Sequence, residues 1–268
     1  MEWLGYAAAL LIGISLGVTG SGGSILTVPI LVYLMGLSPV VATAYSLFVV
    51  GTTSLVGSVR YYRKRLVCFK TALLFGIPSL LTVVLTRGLL LPALPARLFT
   101  VGSFAVTRDA VIMLLFALLM VAAAYRMIGR RKGSVLPVTG HRPRPYLALL
   151  GQGTLVGLVS GVVGAGGGFL IIPALVLFTG LSMPVAIGTS LVIIAANSLF
   201  GFVGDLFHYD INWGFLVLFS SLSIAGIFLG AAVATRLRAD SLKRGFGWFI
   251  LLMGLYIILR EVVGGGPG

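Results

Sequence analysis

The sequence predicts an all-α polytopic membrane protein made of two inverted repeats, each a broken helical hairpin followed by three transmembrane helices. Three observations carry that expectation. Of the 268 residues, 59% are hydrophobic and 9% charged, against roughly 25% charged in an average soluble domain. Apolar runs of the roughly 17–25 residues needed to cross a bilayer recur along the whole chain. Finally, the chain matches itself at an offset of 144 from Gly13 to Val59 without a gap, and roughly 20 of about 47 aligned positions are identical.

The first element, "MEWLGYAAALLIGISLG", carries Glu2 where a secretory signal would carry Lys or Arg, and it leads into glycines instead of a cleavage site, so it reads as a membrane segment. The apolar stretch from Trp3 to Gly36 is too long for one span: as a single helix it would measure roughly 50 Å against a hydrocarbon core of about 30 Å. It must break at the glycine cluster "GVTGSGGSILTVP" of 17–29, because Gly weakens a helix by roughly 0.8–1.0 kcal/mol relative to Ala and takes positive φ freely. Spans follow at 39–59, 69–88 and 109–128, with the apolar, proline-broken segment 89–108 expected along the outer interface. The second half repeats the plan with a broken stretch at 146–181, whose cluster reads "GVVGAGGGFLIIP", and spans at 184–204, 213–235 and 245–260. These spans set the domain boundaries: 1–128 is the first repeat, 129–145 a basic cytoplasmic linker and 146–268 the second repeat.

Charge sets the orientation. A net charge of +13 could suggest nucleic acid, but 15 of the 19 basic residues fall in three connections, at 60–70, 126–144 and 236–244, as cytoplasmic loops do. No nucleic-acid partner is expected. The connection after the second segment is basic in the first half (Arg60, Arg63, Lys64, Arg65) and acidic in the second (Asp205, Asp210), so the copies are inverted. Each broken stretch then returns to the face it left, as a helical hairpin or a pair of short spans, and both termini lie outside a multi-pass inner-membrane protein. His208 belongs to a solvated outer loop, and the one cysteine, Cys68, supports neither a disulfide nor a metal site.

Inverted repeats with discontinuous helices are a common transporter plan, with substrate near the midplane between the breaks. A restarting helix offers N–H groups without intrahelical partners and partial positive charge, which suits an anion even without a cationic side chain. The candidate substrate-binding residues are Gly20, Ser21, Gly22, Gly23, Ser24 and Ser46 in the first half, and Gly164, Gly166, Gly167, Gly168, Ser190 and Asn197 in the second. Thr19, Thr27, Thr52, Thr53, Ser54, Thr189 and Ser198 add neutral hydroxyls nearby. By contrast, the GxxxG pairs Gly13 with Gly17 and Gly157 with Gly161 read as helix packing. Nucleotide-binding motifs are absent, and both histidines lie in loops away from any nucleophile, so no catalytic residue, metal or cofactor is expected and the protein is not read as an enzyme.

The duplicated "GVTGSGGSILTVPILVYLMGLSP" and "GVVGAGGGFLIIPALVLFTGLSMP", each followed by A-x-x-x-S-L, resemble the TauE/SafE group of sulfite exporters and related permeases, with eight-segment hydropathy covering nearly the whole chain. The first copy departs from the fuller glycine pattern at Ser24, where the second has Gly168. That resemblance implies transport of small sulfur-containing anions such as sulfite, thiosulfate or sulfonates, with alternating access. A passive small-anion channel and a non-transport structural or signalling membrane protein are the alternatives.

Overall fold

The computed structural model describes residues 2–19, 23–95, 97–101, 104–128, 146–164, 166–233 and 239–263. The expected linker, 129–145, lies outside them, as do Gly20, Ser21 and Gly22 of the first glycine cluster. Helix α1 (Glu2–Thr19) leads to the first break. Helix α2 (Ser24–Pro29) comes next and continues into a π-helical turn at Ile30–Leu34, placed where Pro29 withholds a backbone N–H from the ladder. Helix α3 (Pro39–Arg63) starts on a proline, which needs no donor in a first turn. Helix α4 (Phe69–Leu85) runs into a second π-helical turn at Thr86–Leu90 and a short helix α5 (Leu91–Ala93).

The segment expected along the outer interface contains an antiparallel strand pair, β1 (Arg97–Val101) with β2 (Phe104–Thr107), which hands directly to α6 (Arg108–Ile128). Pairing the strands satisfies backbone groups that an irregular apolar loop would leave open. The second half comprises α7 (Tyr146–Val163), α8 (Gly168–Thr179), α9 (Met183–Asp205), α10 (Trp213–Val233) and α11 (Ala239–Val263). Five helices are long and apolar enough to cross a membrane among the described residues, and α3 and α9 are the most enclosed of them. Along α4 the residues Phe69, Leu73, Ile77, Leu81, Leu85 and Leu89 form an outward stripe at four-residue spacing, each more than half exposed. Apolar side chains turned outward at helical spacing are what a lipid-facing helix requires.

Side-chain contacts fix the directions of the spans. Thr189 of α9 accepts the Cys68 N–H ahead of α4 (2.9 Å), Asn197 donates to Ser79 (2.6 Å), and Asp205 pairs with Arg87, so α4 and α9 run the same way. Tyr45, near the start of α3, accepts the N–H of Asn212 beyond the end of α9 (2.7 Å), while Gly188 near the start of α9 lies against Tyr61 and Leu66. Helices α3 and α9 are therefore antiparallel. Helix α1 lies along α10, with Gly13 against Ser223 and Gly230 against Ile14, and α7 lies along α4, with Gly157 against Ser79 and Gly161 against Thr86. The expected glycine packing is thus present at Gly13, Gly157 and Gly161.

These contacts come in pairs separated by the repeat offset. Gly13 with Ser223 corresponds to Gly157 with Ser79, and the Cys68 to Thr189 bond corresponds to the Asn212 to Tyr45 bond. In each half, a side chain on the central helix accepts the backbone N–H just before the other half's outer helix. Because the two bonds occupy equivalent places, Thr189→Val and Tyr45→Phe are expected to lower stability by similar amounts, about 0.5–1.5 kcal/mol each. Thermal unfolding of the purified variants checks this, and a change confined to one of them would break the equivalence.

Both broken stretches fold back on themselves. Gly5 of α1 meets the Met35 side chain, and Gly23 lies against Ile12 and Leu16, so α1 and α2 form a hairpin. Gly167 lies against Ser160, and Val156 shares a core cluster with Ala174 and Leu175, which makes α7 and α8 the second hairpin.

Candidate functional site

The second glycine turn packs against the α3 and α9 pair. Gly164, Gly166 and Gly167 all have positive φ, between 64° and 69°. An L-residue there would be strained by roughly 1–2 kcal/mol. The left-handed turn lets the chain reverse and start α8 at Gly168, where the Leu170 and Ile171 N–H groups both donate to Gly167 C=O at 2.9 Å. The N–H groups of residues 168 and 169 precede that ladder and point out of the helix start. The first turn is built differently: Gly23 has φ −62°, and its lack of a side chain matters because the α1 backbone passes directly against it.

Hydroxyls approach the second turn from two sides. A Cβ on Gly166 would lie 2.6 Å from Ser198 Oγ and 2.9 Å from Val50 Cγ1, with Ile194 next to it; a Cβ on Gly167 would lie 2.9 Å from Ser160 Oγ. Ser198 and Ser160 are buried, and neither Oγ has a hydrogen-bond partner. Val50 and Ile194 are themselves equivalent at the repeat offset, so the turn touches the centre line of the α3 and α9 pair. Ser46, Val50 and Ser54 succeed one another at four-residue spacing on α3, as Ser190, Ile194 and Ser198 do on α9, and such residues share a helix face. The Ser46 and Ser54 hydroxyls are likewise buried without partners.

Other expected donors are already engaged. Ser190 donates to Ile187 C=O (2.8 Å), Thr27 to Gly23 C=O (3.2 Å), and Thr52 and Thr53 to Val49 C=O (3.1 and 2.6 Å), which is how intramembrane hydroxyls commonly satisfy themselves. Ser24 is fully buried beside the first turn. Asn197 is fully buried on α9, its Nδ2 donating to Ser79 while Oδ1 is without a partner. A half turn of that amide would present N–H outward and let Oδ1 accept from the Ser79 hydroxyl.

Two charged residues belong here that sequence reasoning places elsewhere. Loop charge puts Asp205 in a solvated outer loop with Asp210 and His208; His208 is exposed, but Asp205 is the last residue of α9 and is 1% exposed. It pairs with Arg87, which is 0% exposed, at 2.9 Å. The correction has a physical reason: the guanidinium beside the carboxylate offsets the desolvation cost that would otherwise keep it in water. Arg87 also donates from Nε to Gly161 C=O at 2.6 Å. The glycine turns are expected to suit an anion without a cationic side chain, and Arg87 escapes that reading because it falls in an apolar span. Its signal is that it lies outside all three basic connections.

Comparison with known proteins gives the same class. Residues 5–257 match the family described as "Sulfite exporter TauE/SafE". A "Probable membrane transporter protein" of Xylella fastidiosa (strain Temecula1) is 30% identical over 257 residues, 94% of this chain and 92% of that protein. The "Probable membrane transporter protein YunE" of Bacillus subtilis (strain 168) is 28% identical, covering 97% of this chain and 99% of its own length. A third, the "Probable membrane transporter protein MJ0441" of Methanocaldococcus jannaschii, is 24% identical over 93% and 94% of the two chains. No solved structure matches.

Proposed function

Because the chain belongs to the TauE/SafE sulfite exporter family, and is an integral membrane transporter, we propose that it carries small sulfur-containing anions such as sulfite, thiosulfate or sulfonates by alternating access, binding them between the glycine breaks of two inverted repeats. The observation that carries this reading is the left-handed turn at Gly164–Gly167, whose backbone faces the buried, unpartnered hydroxyls of Ser160 and Ser198. Donors gathered at a helix start in a water-excluded place suit an oxyanion. The antiparallel run of α3 and α9, which are equivalent at the repeat offset, supports the inversion. Since the turn touches Val50, Ile194 and Ser198 directly, substrate enters when the turn and the α3 and α9 pair part, and this arrangement is the closed one.

The remaining candidates, Gly20, Ser21, Gly22, Gly23 and Ser24, line the first break in this reading, and Ser46, Ser190 and Asn197 line the central pair. Replacing Asn197 with Leu is expected to weaken anion binding by about 1–3 kcal/mol, measured on purified protein against a panel of oxyanions. The direct test of function is flux of that panel in proteoliposomes, with and without a pH gradient. Saturable flux of sulfur oxyanions supports the transporter; unitary currents would identify a passive channel, and no flux of any oxyanion would leave the structural or signalling alternative.

Orientation is also proposed, from charge: the Lys64 connection faces the cytoplasm, and Glu2, His208 and Glu261 face outside an inner membrane. In a Cys68→Ser background, cysteines placed at 64 and 208 are expected to label from opposite sides with an impermeant reagent. Labelling of both from one side ends the inverted arrangement.

A further inference from the structure

We propose that Arg87 supplies the positive charge that holds the transported anion, through the Nη2 edge left unpaired beside Gly164, and that Asp205 is the counter-ion that positions it. This rests on the anion-transport reading and narrows it to one turn and one cation.

A buried guanidinium kept for structure alone is expected to use all its donors, because each N–H left without an acceptor in a low-dielectric interior is costly. Arg87 does not. Its Nε is held by Gly161 C=O and its Nη1 by Asp205, at 2.6 and 2.9 Å, while Nη2 has no partner and is fully buried. The free edge has a direction, since a Cβ on Gly164 would lie 2.5 Å from it. Nη2, Ser160 Oγ and Ser198 Oγ therefore meet the same turn at Gly164, Gly167 and Gly166. All three can donate, and a guanidinium has no acceptor, so the ligand they suit is an anion with several acceptor oxygens.

The helix face carries Arg87 inward: it continues the buried row Phe75, Ser79 and Val83 of α4 at four-residue spacing, opposite the lipid-facing stripe and toward α7 and α9. The residues of this cluster are not duplicated in sequence: at the repeat offset Arg87 falls on Ala231, Ser160 on Leu16 and Asp205 on Tyr61. The proposal thus places the cationic anion site at the second turn. Arg87 and Asp205 cancel each other, so Asp205 opposes an incoming anion while fixing the guanidinium that receives it.

That opposition gives a test with opposite signs. Sulfite, thiosulfate and sulfate binding is measured on purified, monodisperse wild type, Asp205→Asn, Arg87→Gln with Asp205→Asn, and Arg87→Lys. Removing the competing charge in Asp205→Asn is expected to tighten binding, whereas the double variant, which differs from it only in the guanidinium, is expected to bind about tenfold or more weakly than wild type. Arg87→Lys keeps the charge and loses the fork, and is expected to weaken binding as well. Should neither Asp205 variant be monodisperse, Arg87→Lys decides: unchanged affinity overturns the proposal and weaker binding supports it. A merely structural pair predicts that Asp205→Asn weakens binding as the double variant does, and that result overturns the proposal. Wild type that binds while the variants match it overturns the role of Arg87 and leaves anion transport standing; wild type that binds none of the three overturns both.

Discussion

Replacing Gly167 with leucine is expected to abolish transport while leaving a folded, membrane-inserted protein. The residue has φ 67° and ψ 4°, so a side chain adds roughly 1–2 kcal/mol of backbone strain. Its Cβ would meet the Cβ and Oγ of Ser160 at 2.9 Å, a small side chain that can give way more readily than backbone. The fold tolerates both, but the leucine fills the space between the turn and the Ser160 hydroxyl, and the anion loses its approach to the start of α8. Anion binding and proteoliposome flux on monodisperse protein check this, and unchanged affinity would remove the turn from the site. The equivalent change at Gly23 is not an equivalent experiment. There a Cβ runs into the Ile12 carbonyl and the Leu16 N–H of α1, so Gly23→Leu is expected to disturb the first hairpin and lower the yield of folded protein.

A large loss of stability is expected from Gly157→Ala, and the same loss from Gly13→Ala. A Cβ on Gly157 would lie within 2.8 Å of Ser79 Cα and closer still to its carbonyl oxygen; one on Gly13 would lie 2.8 Å from the Ser223 carbonyl carbon. Backbone cannot move aside as a side-chain tip can, so each methyl separates two helices along their length, at about 1–3 kcal/mol or more. Gly151→Ala on the same helix α7 meets nothing within 4 Å and is expected to be neutral or to stabilise by up to about 1 kcal/mol. Thermal unfolding in detergent gives all three. A tolerated Gly13→Ala beside a damaging Gly157→Ala would show that the halves do not pack alike.

The spans are legible in sequence because bilayer crossing demands long apolar runs, and the helix ends at Arg63, Ile128 and Val233 fall within a few residues of where those runs stop. Close packing at Gly13 and Gly157 is legible too, from spacing alone. What spacing does not carry is the direction in which a polar side chain turns once buried. Thr27, Thr53 and Ser190 turn onto their own helices, while Ser46, Ser54 and Ser198, small hydroxyl residues on the same central helices as Thr53 and Ser190, do not. The inward place of Arg87 follows Phe75, Ser79 and Val83 at four-residue spacing, but its pairing with Asp205 is set by tertiary packing that no local period announces, and the strand pair at 97–107 depends on cross-strand pairing rather than on local hydropathy. The identical letters at Gly23 and Gly167 answer different constraints, one the passage of a neighbouring helix and the other a left-handed backbone, so aligned repeats mislead where they look most alike.

The outward stripe on α4 measures the electrical position of the site. From Phe69 to Leu89 it covers 20 residue steps, or about 30 Å along a helix, the thickness of a hydrocarbon core. Arg87 lies two residues from the Leu89 end, only about 3 Å into that height. Ser198, one residue past the Asn197 that bonds Ser79, lies deeper, so an anion shared between Arg87 and Ser198 under this proposal sits between about a tenth and just under half of that height from the Arg87 end. With one elementary charge worth about 2.3 kcal/mol per 100 mV, binding from the Arg87 side senses less than half of the voltage. Under the anion-transport proposal, the step that carries the anion between this site and the Cys68 side takes the larger share of the voltage dependence, whichever way transport runs.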